Sequence, residues 1–177
     1  VLVVDDNFFS VFSFPLVEGS ADNAIKELRS VVLTEATAKK YFGNKKAVGQ
    51  VLNLKNNDQF EPFVVSAVAK NIPQNSSVQF EMLVPMKYVQ SQNNDTEWIN
   101  FFLNTFVVLK PGTDWKKVAG KFDHIFQVKA ASQLKDAQEK YNFKDKISFG
   151  LQPLLDIHLS TVYSAQNGLD KASNPIY

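Results

Sequence analysis

The first residues that could do chemistry lie in a segment with two glycines and a lysine pair, Gly43-Asn44-Lys45-Lys46-Ala47-Val48-Gly49-Gln50. A phosphate-binding P-loop has four residues between its glycines, followed by Lys and Ser or Thr, because its amides surround the phosphates and its hydroxyl binds magnesium. Here five residues separate the glycines, and Gln50 stands in the lysine position. The segment is therefore interpreted as the end of a helix followed by a turn, with Gly43 just past the helix.

Carboxylates and histidines are the other candidates for catalysis or metal binding. Asp5 and Asp6 are adjacent at the end of a predicted strand, so their side chains point to opposite faces and cannot share one site. Asp6 is instead predicted to cap a short helix. The two histidines, His124 and His158, are far apart and have no HExxH neighbour. The chain also lacks the Gly-x-Ser-x-Gly elbow of a nucleophilic serine. These patterns predict no catalytic residue, no cofactor-binding residue and no metal ligand.

Composition excludes several classes of protein. The absence of cysteine in 177 residues excludes disulfide scaffolds, zinc ribbons and thiol nucleophiles. Nineteen basic residues against 18 acidic ones give a net charge of +1, which argues against a nucleic-acid partner. No apolar run approaches the roughly 20 residues that a membrane helix needs. Because the chain begins at Val1 on an apolar run, we expect it to be a piece of a longer protein.

Hydrophobic periodicity predicts the elements that must position these residues. Thr34 is expected to cap a helix that runs to about Phe42, and Thr113 to cap a longer one whose apolar residues recur at helical spacing. A third helix is expected over residues 131–141. Strands are predicted over residues 1–4, 30–33, 51–54, 63–69, 78–84, 105–110 and 147–153. This mixture predicts an α+β fold with a strand-rich middle.

Several ordered motifs resemble those of MacB/FtsX-like ABC transporter permeases. The segment from Asp6 to Phe14, with Gly19, is similar to a D-x-x-F-F-x-V-F segment of that family, and the segment from Ala38 to Gly43 is similar to its A-x-x-x-F-G helix. Further stretches resemble family segments in the same order: Ala47-Val48-Gly49-Gln50, then Val64-Val65-Ser66-Ala67-Val68 with Pro73-Gln74-Asn75-Ser76, then Gln152-Pro153-Leu154 with Asp156-Ile157-His158-Leu159. The family-motif residues, all interpreted as core or turn residues, are Phe8, Phe9, Phe12, Ala38, Phe42, Gly43 and Gly49.

The resemblance implies a two-lobed domain outside the cytoplasmic membrane. Residues 1–46 and 101–160 would form a βαβ-type, Porter-like lobe that lacks its first strand–helix–strand unit. Residues 47–100 would form an inserted β-rich, Sabre-like lobe. Residues 161–177 would return toward the membrane.

The resemblance also implies a non-catalytic role in transport at the periplasmic face of a bacterial inner membrane. The domain would need no cofactor and would couple cytoplasmic ATP hydrolysis, by conformational change, to export or extraction of a substrate. Its partners would be a second permease copy or subunit, a cytoplasmic ATPase subunit acting through the membrane helices, and a periplasmic protein or lipoprotein. Two alternatives stay open: a free-standing secreted binding or adhesion module, and a hydrolase that uses Asp5, Asp6 or His158.

Overall fold

The structure is a computed structural model that describes residues 1–56, 58–92, 96–101, 103–142 and 146–156. The chain divides into two compact units, Val1–Asn94 and Asp95–Tyr177. No helix in the described part of the chain is both long enough and apolar enough to cross a membrane. The mixed α+β class predicted from the sequence is confirmed.

The first unit is built on a six-stranded mixed sheet. Its strands are β1 (Leu2–Val4), β2 (Leu16–Glu18), β3 (Ser30–Thr34), β4 (Val51–Asn56), β5 (Gln59–Ala69) and β6 (Met82–Pro85). The order across the sheet is β1-β6-β3-β5-β2, with β4 also paired to β5. The β1–β6 and β3–β5 pairs are parallel, and the other pairs are antiparallel.

Short helices connect these strands. They are α1 (Phe8–Val11), α2 (Ala21–Ala24), α3 (Glu35–Phe42) and α4 (Met86–Gln92). Every residue of β3 is buried, which explains why Val31, Val32 and Leu33 form a continuous β-branched and apolar run. Val31 and Leu33 pack with Phe63 and Val65 of β5 and with Ala38 of α3 in the main hydrophobic core.

The described residues of the second unit include α5 (Trp115–Lys129), α6 (Ala131–Tyr141) and a 3-10 turn (Leu154–Asp156). Phe126 is the large buried side chain of α5, and its ring lies 4.6 Å from the Phe149 ring and 6.1 Å from the Phe101 ring, centroid to centroid. The carboxylate of Asp123 accepts a hydrogen bond from the Phe149 amide at 3.0 Å. These contacts fasten the segment around Phe149 to α5.

Some of the predicted elements differ from those of the structure. Asn7, not Asp6, occupies the N-cap position of α1, and its side chain makes no capping bond. Asp6 instead pairs with Lys87. The cap of α5 is Asp114 rather than Thr113, because the Asp114 carboxylate accepts from the amides of Lys116 and Lys117. The segment predicted as a strand over 78–84 is a strand only at Met82–Pro85.

The strands predicted over residues 105–110 and 147–153 are not strands in the structure. Both segments have the β-branched and aromatic residues that favour strands. Strand propensity describes how well a residue fits a pleated surface, however, and a strand forms only where a neighbouring strand completes its hydrogen bonds. Neither segment pairs with another strand among the described residues.

The expected lobe limits also differ from the division in the structure. Strands β4, β5 and β6 come from residues 47–100, the expected insert, yet β5 and β6 both pair with β3 from the expected first lobe. Because paired strands share one hydrogen-bonded sheet, residue 47 is not a boundary between separate bodies. The contact-based boundary falls after Asn94. The segment 161–177, expected to return toward the membrane, lies outside the described residues.

Candidate functional site

The first three family-motif residues lie in an aromatic cluster of the first unit. Phe8 is 6% exposed, and its ring contacts those of Phe9, Phe12, Phe14 and Phe80 at centroid distances of 5.0–6.0 Å. Such edge-to-face and offset pairs stabilise a core beyond the area they bury. The cluster joins the α1 region to the segment that leads into β6.

The other four motif residues lie along α3 and the turn that follows it. Ala38 is buried in the main core and Phe42 packs partly against it. Gly43 ends the helix with φ 63° and ψ −124°, and Gly49 has φ 90°. These backbone angles favour glycine, which lacks the Cβ that makes them costly for other residues. The structure thus places the seven motif residues in two separate groups of core and turn positions.

The turn from Gly43 to Gln50 has little capacity to bind phosphate. The amides of Gly43, Lys45 and Gln50 donate to carbonyls of Lys39, Phe42 and Ala47, and the Gly49 amide donates to the Val65 carbonyl at 2.8 Å. Amides committed to internal bonds cannot surround an anion. The interpretation of this segment as a helix end and a turn is confirmed.

The N-terminus of α3 is likewise satisfied within the protein. The Thr34 hydroxyl accepts from the Thr37 amide at 3.4 Å, and the Asn71 side-chain oxygen accepts from the Ala36 amide at 2.9 Å. In return, the Asn71 amide donates to the Glu35 carboxylate at 3.2 Å. This reciprocal pair ties the helix start to the loop after β5, so the amides that would otherwise attract an anion are already bonded.

A polar network near the turn of the β4–β5 hairpin was not visible in the sequence. The Tyr88 hydroxyl donates to Glu61 Oε1 at 2.8 Å and accepts from Asn56 Nδ2 at 2.9 Å. Arg29 Nη2 lies 2.8 Å from Glu61 Oε2, but these two atoms are not aligned for a hydrogen bond. The contact is therefore an ion pair without a hydrogen bond. The network fastens the hairpin to α4. In each of these three contacts, the two residues are 27 or more positions apart in the sequence. No local sequence pattern could therefore indicate the network.

The network is suited to structure rather than to acid–base chemistry. Burial raises the pKa of Tyr88 above its ordinary value of 10.0, and its hydrogen bond to Glu61 raises the pKa further. The phenol therefore stays protonated at neutral pH and keeps its hydrogen bond to Glu61. A general base would need a pKa near the working pH.

The remaining candidates for chemistry are dispersed. Asp6 lies 3.3 Å from Lys87 Nζ in an ion pair, and the backbone carbonyl of Asp5 accepts the Phe8 amide. His124 is exposed on α5. Within the described ranges, no three His, Cys, Asp or Glu side chains are grouped so that they could hold a metal ion. His158 falls outside those ranges.

Gly19 has a structural role that sequence spacing alone does not show. With φ 85°, it lies so close to β5 that a Cβ at this position would be 2.6 Å from the Ser66 carbonyl oxygen and 2.7 Å from the Ala67 Cβ. The small side chain of Ala67 and the missing one of Gly19 let β2 approach β5. The sequence predicts no strand over Leu16–Glu18, so it gives no signal of this approach beyond the glycine itself.

Comparisons with known proteins agree with this arrangement. The family model for the MacB-like periplasmic core domain matches residues 1–125. Among solved structures, the chain is similar to a domain assigned to a permease protein from Porphyromonas gingivalis, with a TM-score of 0.53 and 23% identity over 72% of this chain. It is also similar to the periplasmic region of MacB from Actinobacillus actinomycetemcomitans, with a TM-score of 0.48 and 15% identity over 80% of this chain. No curated protein matches the chain.

The likeness to the Porphyromonas gingivalis domain shows a shared fold, and the family match carries the assignment. The chain spans 58% and 64% of the lengths of the two solved structures. The family model covers the whole first unit and continues into α5. The chain therefore belongs to the MacB-like periplasmic core domain family, the periplasmic domains of ABC-transporter-type permeases.

Proposed function

We propose that this domain transmits motion outside the inner membrane of a bacterium. In this proposal, ATP hydrolysis by a cytoplasmic ATPase subunit moves the membrane helices of the parent permease, and the domain follows as a body. Its movement drives export or extraction of a substrate, and the domain itself catalyses no reaction. The observation that carries the proposal is the family match over residues 1–125.

The packing of the first unit supports such a role. A domain that transmits motion must resist deformation between the point where it is moved and the point where it acts. Here β1 is hydrogen-bonded in parallel to β6, and the Asn71–Glu35 pair and the Tyr88–Glu61 bond each join segments distant in sequence. Long-range contacts of this kind make the unit move as one body rather than yield locally.

The proposed partners are those of a permease. They are a second permease copy or subunit, the ATPase subunit reached through the membrane helices, and a periplasmic protein or lipoprotein that meets the domain outside. No cofactor is needed in the domain, because the free energy is supplied by the ATPase.

The proposal is tested by measuring the distance between two copies of the domain in the parent transporter. Because this chain has no cysteine, Lys45→Cys in the exposed turn after α3 gives one spin-label site in each copy of the domain. In nanodiscs that contain the permease and its ATPase, the label-to-label distance should change between the nucleotide-free and the vanadate-trapped states.

A label pair within one copy provides the control. Lys45→Cys with Gln74→Cys places both labels on the first unit, so their distance should stay constant when nucleotide is added. An inter-copy distance that is also constant would contradict the proposal. A parent protein recovered free in the periplasm, with no ATPase bound, would favour the secreted binding or adhesion module instead.

A further inference from the structure

The β4–β5 hairpin leaves one edge of the sheet open. β4 pairs with β5 along its whole length, from Val51↔Val64 to Asn56↔Gln59. Among the described residues no strand pairs with the other side of β4. An edge strand presents a row of backbone donors and acceptors that another strand can complete.

Pro62 shows which residues present that row. In an antiparallel pair, opposed residues alternate between those that exchange two hydrogen bonds and those that exchange none. Pro62 has no N–H, so its pair with Asn53 exchanges none. By alternation, the N–H and C=O groups of Val51, Asn53 and Lys55 all point away from β5, toward the open edge.

Of the two edges of the hairpin, only the β4 edge keeps all its donors. β3 begins at Ser30, opposite Val64, so the first residues of β5 extend past it. Pro62 lies in that extension, where it removes a donor and so blocks pairing. β4 contains no proline. Its single charged residue, Lys55, forms an ion pair with Asp58 at 3.6 Å, so the strand adds no unbalanced charge.

An apolar strip runs beside this open edge. The side chains of Val51, Phe60 and Val64 lie on the solvent face of the hairpin and are 56%, 69% and 47% exposed. Val51 is opposite Val64 and Lys55 is opposite Phe60. A strand added along β4 would extend this face and cover part of the apolar surface.

We propose that the β4 edge pairs antiparallel with β4 of a second copy of this chain. With Asn53 opposite Asn53 on a two-fold axis, Val51 of each copy is opposite Lys55 of the other. The three residues with outward-facing backbone groups then meet one another and exchange about six hydrogen bonds. No like charges oppose each other, which a strand pairing with itself must avoid.

This pairing goes beyond the proposed function, because it concerns the domain alone and requires no ATPase. The interface is small, so the expected dissociation constant for the isolated chain is high, up to about 1 mM. A membrane protein that holds two copies close together raises their effective concentration.

The experiment uses the 177-residue chain in two ways. Asn53→Cys should form an intermolecular disulfide under mild oxidation, because opposed residues that exchange hydrogen bonds have Cα atoms about 5.5 Å apart, within disulfide range. Gln74→Cys, in an exposed loop, is the matched control and should form it several-fold more slowly. Sedimentation equilibrium over a range of concentrations measures the association of the unmodified chain.

Two variants that each add a positive charge test whether the β4 edge forms the contact between the two copies. Asn53→Lys places like charges face to face on the axis and should abolish self-association, whereas Gln74→Lys adds the same charge elsewhere and should leave it intact. Thermal melts establish that both variants are folded. The proposal is overturned if the chain stays monomeric at about 1 mM while the two cysteine variants cross-link equally. It is also overturned if Asn53→Lys associates as strongly as Gln74→Lys, since another surface then forms the contact.

Discussion

At the scale of single residues, Gly19 has the least room for a side chain among the glycines that the structure describes. Its positive φ and its closeness to β5 are separate constraints, and either alone would favour glycine. Gly43 and Gly49 share the positive φ but have open space where a Cβ would lie. A side chain at Gly43 or Gly49 would therefore cause backbone strain alone, whereas a side chain at Gly19 would cause both strain and a steric clash.

Gly19→Ala should lower the free energy of unfolding by about 3 kcal/mol, the sum of left-handed backbone strain and overpacking against β5. Gly49→Ala, with strain but no clash, should lower it by about 1–2 kcal/mol. Urea unfolding followed by circular dichroism measures both. Equal losses in the two variants would mean that β2 moves away from β5 without cost.

Tyr88 is the other residue whose role depends on distant partners. Tyr88→Phe removes the donor to Glu61 and the acceptor of Asn56, and should cost about 1–2 kcal/mol of stability. Tyr41→Phe, on the exposed face of α3, should change stability by no more than about 0.5 kcal/mol. Similar values for the two variants would contradict the structural role of the network.

The raised pKa of Tyr88 also predicts a pH dependence. The folded state holds the proton more tightly than the unfolded state, whose tyrosine titrates near 10.0. The contribution of Tyr88 is thus fully present below that pH and is lost as the pH rises through the folded-state pKa. Stability should therefore fall more steeply on the alkaline side in the natural chain than in Tyr88→Phe. Parallel curves in alkaline urea titrations would exclude this coupling.

At the scale of elements, α3 shows how a short helix is held in place. It has only eight residues, too few to be stable alone in water. Its first turn is closed by Thr34 from β3 and by Asn71 from the loop after β5, and its inner face packs Ala38 against the core. The helix therefore depends on the sheet around it for its stability.

Replacing the Thr34 cap should open the first turn of α3. Thr34→Val keeps the shape of the buried side chain but removes the acceptor for the Thr37 amide, at a cost of about 1–2 kcal/mol. Hydrogen exchange at the Thr37 amide should accelerate in this variant. In Thr34→Ser, which keeps the hydroxyl, the same amide should stay protected. Loss of protection in both variants would assign the effect to packing instead of capping.

In the second unit, Asp123 links α5 to the segment around Phe149. Hydrogen bonds from the Phe149 amide and then from Gln127 lower the pKa of this carboxyl below its ordinary value of 3.8. Its stabilising effect is complete above 3.8 and is lost as the pH falls through the lower folded-state pKa. The Phe149 amide resonance should therefore titrate below that value in NMR spectra. A titration at or above 3.8, or none in this range, would mean that the bond is absent.

At the scale of the whole molecule, the two units differ in how much core they have. In the described part of the chain, the buried hydrophobic residues of the second unit are Phe126 and Ala130, and all the others belong to the first unit. Stability depends chiefly on apolar area removed from water, so we expect the first unit to be the more stable.

Residues 1–94 should therefore fold without the rest of the chain. We expect a single cooperative thermal transition for this fragment, with β-sheet circular dichroism, and unchanged protection of the β3 amides in hydrogen exchange. A fragment that is unfolded, or that melts without cooperativity, would show that the second unit is needed to complete the core.

The sequence by itself determined the features that depend on neighbours along the chain. Thr34 as a cap, Gly43 as a helix end and the periodicity of α5 are local, because a cap, a left-handed residue and an apolar stripe involve residues within a few positions of one another. The ordered family motifs, also a property of the linear sequence, indicated the family that the model over residues 1–125 confirms.

Only the tertiary structure decided the features that depend on which segments meet. Residues 105–110 have strand composition but pair with no strand in the described part of the chain, whereas Leu2–Val4 is a strand because β6 lies beside it. The Glu61–Tyr88 bond, the closeness of Gly19 to Ala67 and the open edge of β4 join or separate residues many positions apart. Which of these distant segments come into contact depends on the packing of the whole unit, and no local sequence pattern encodes it.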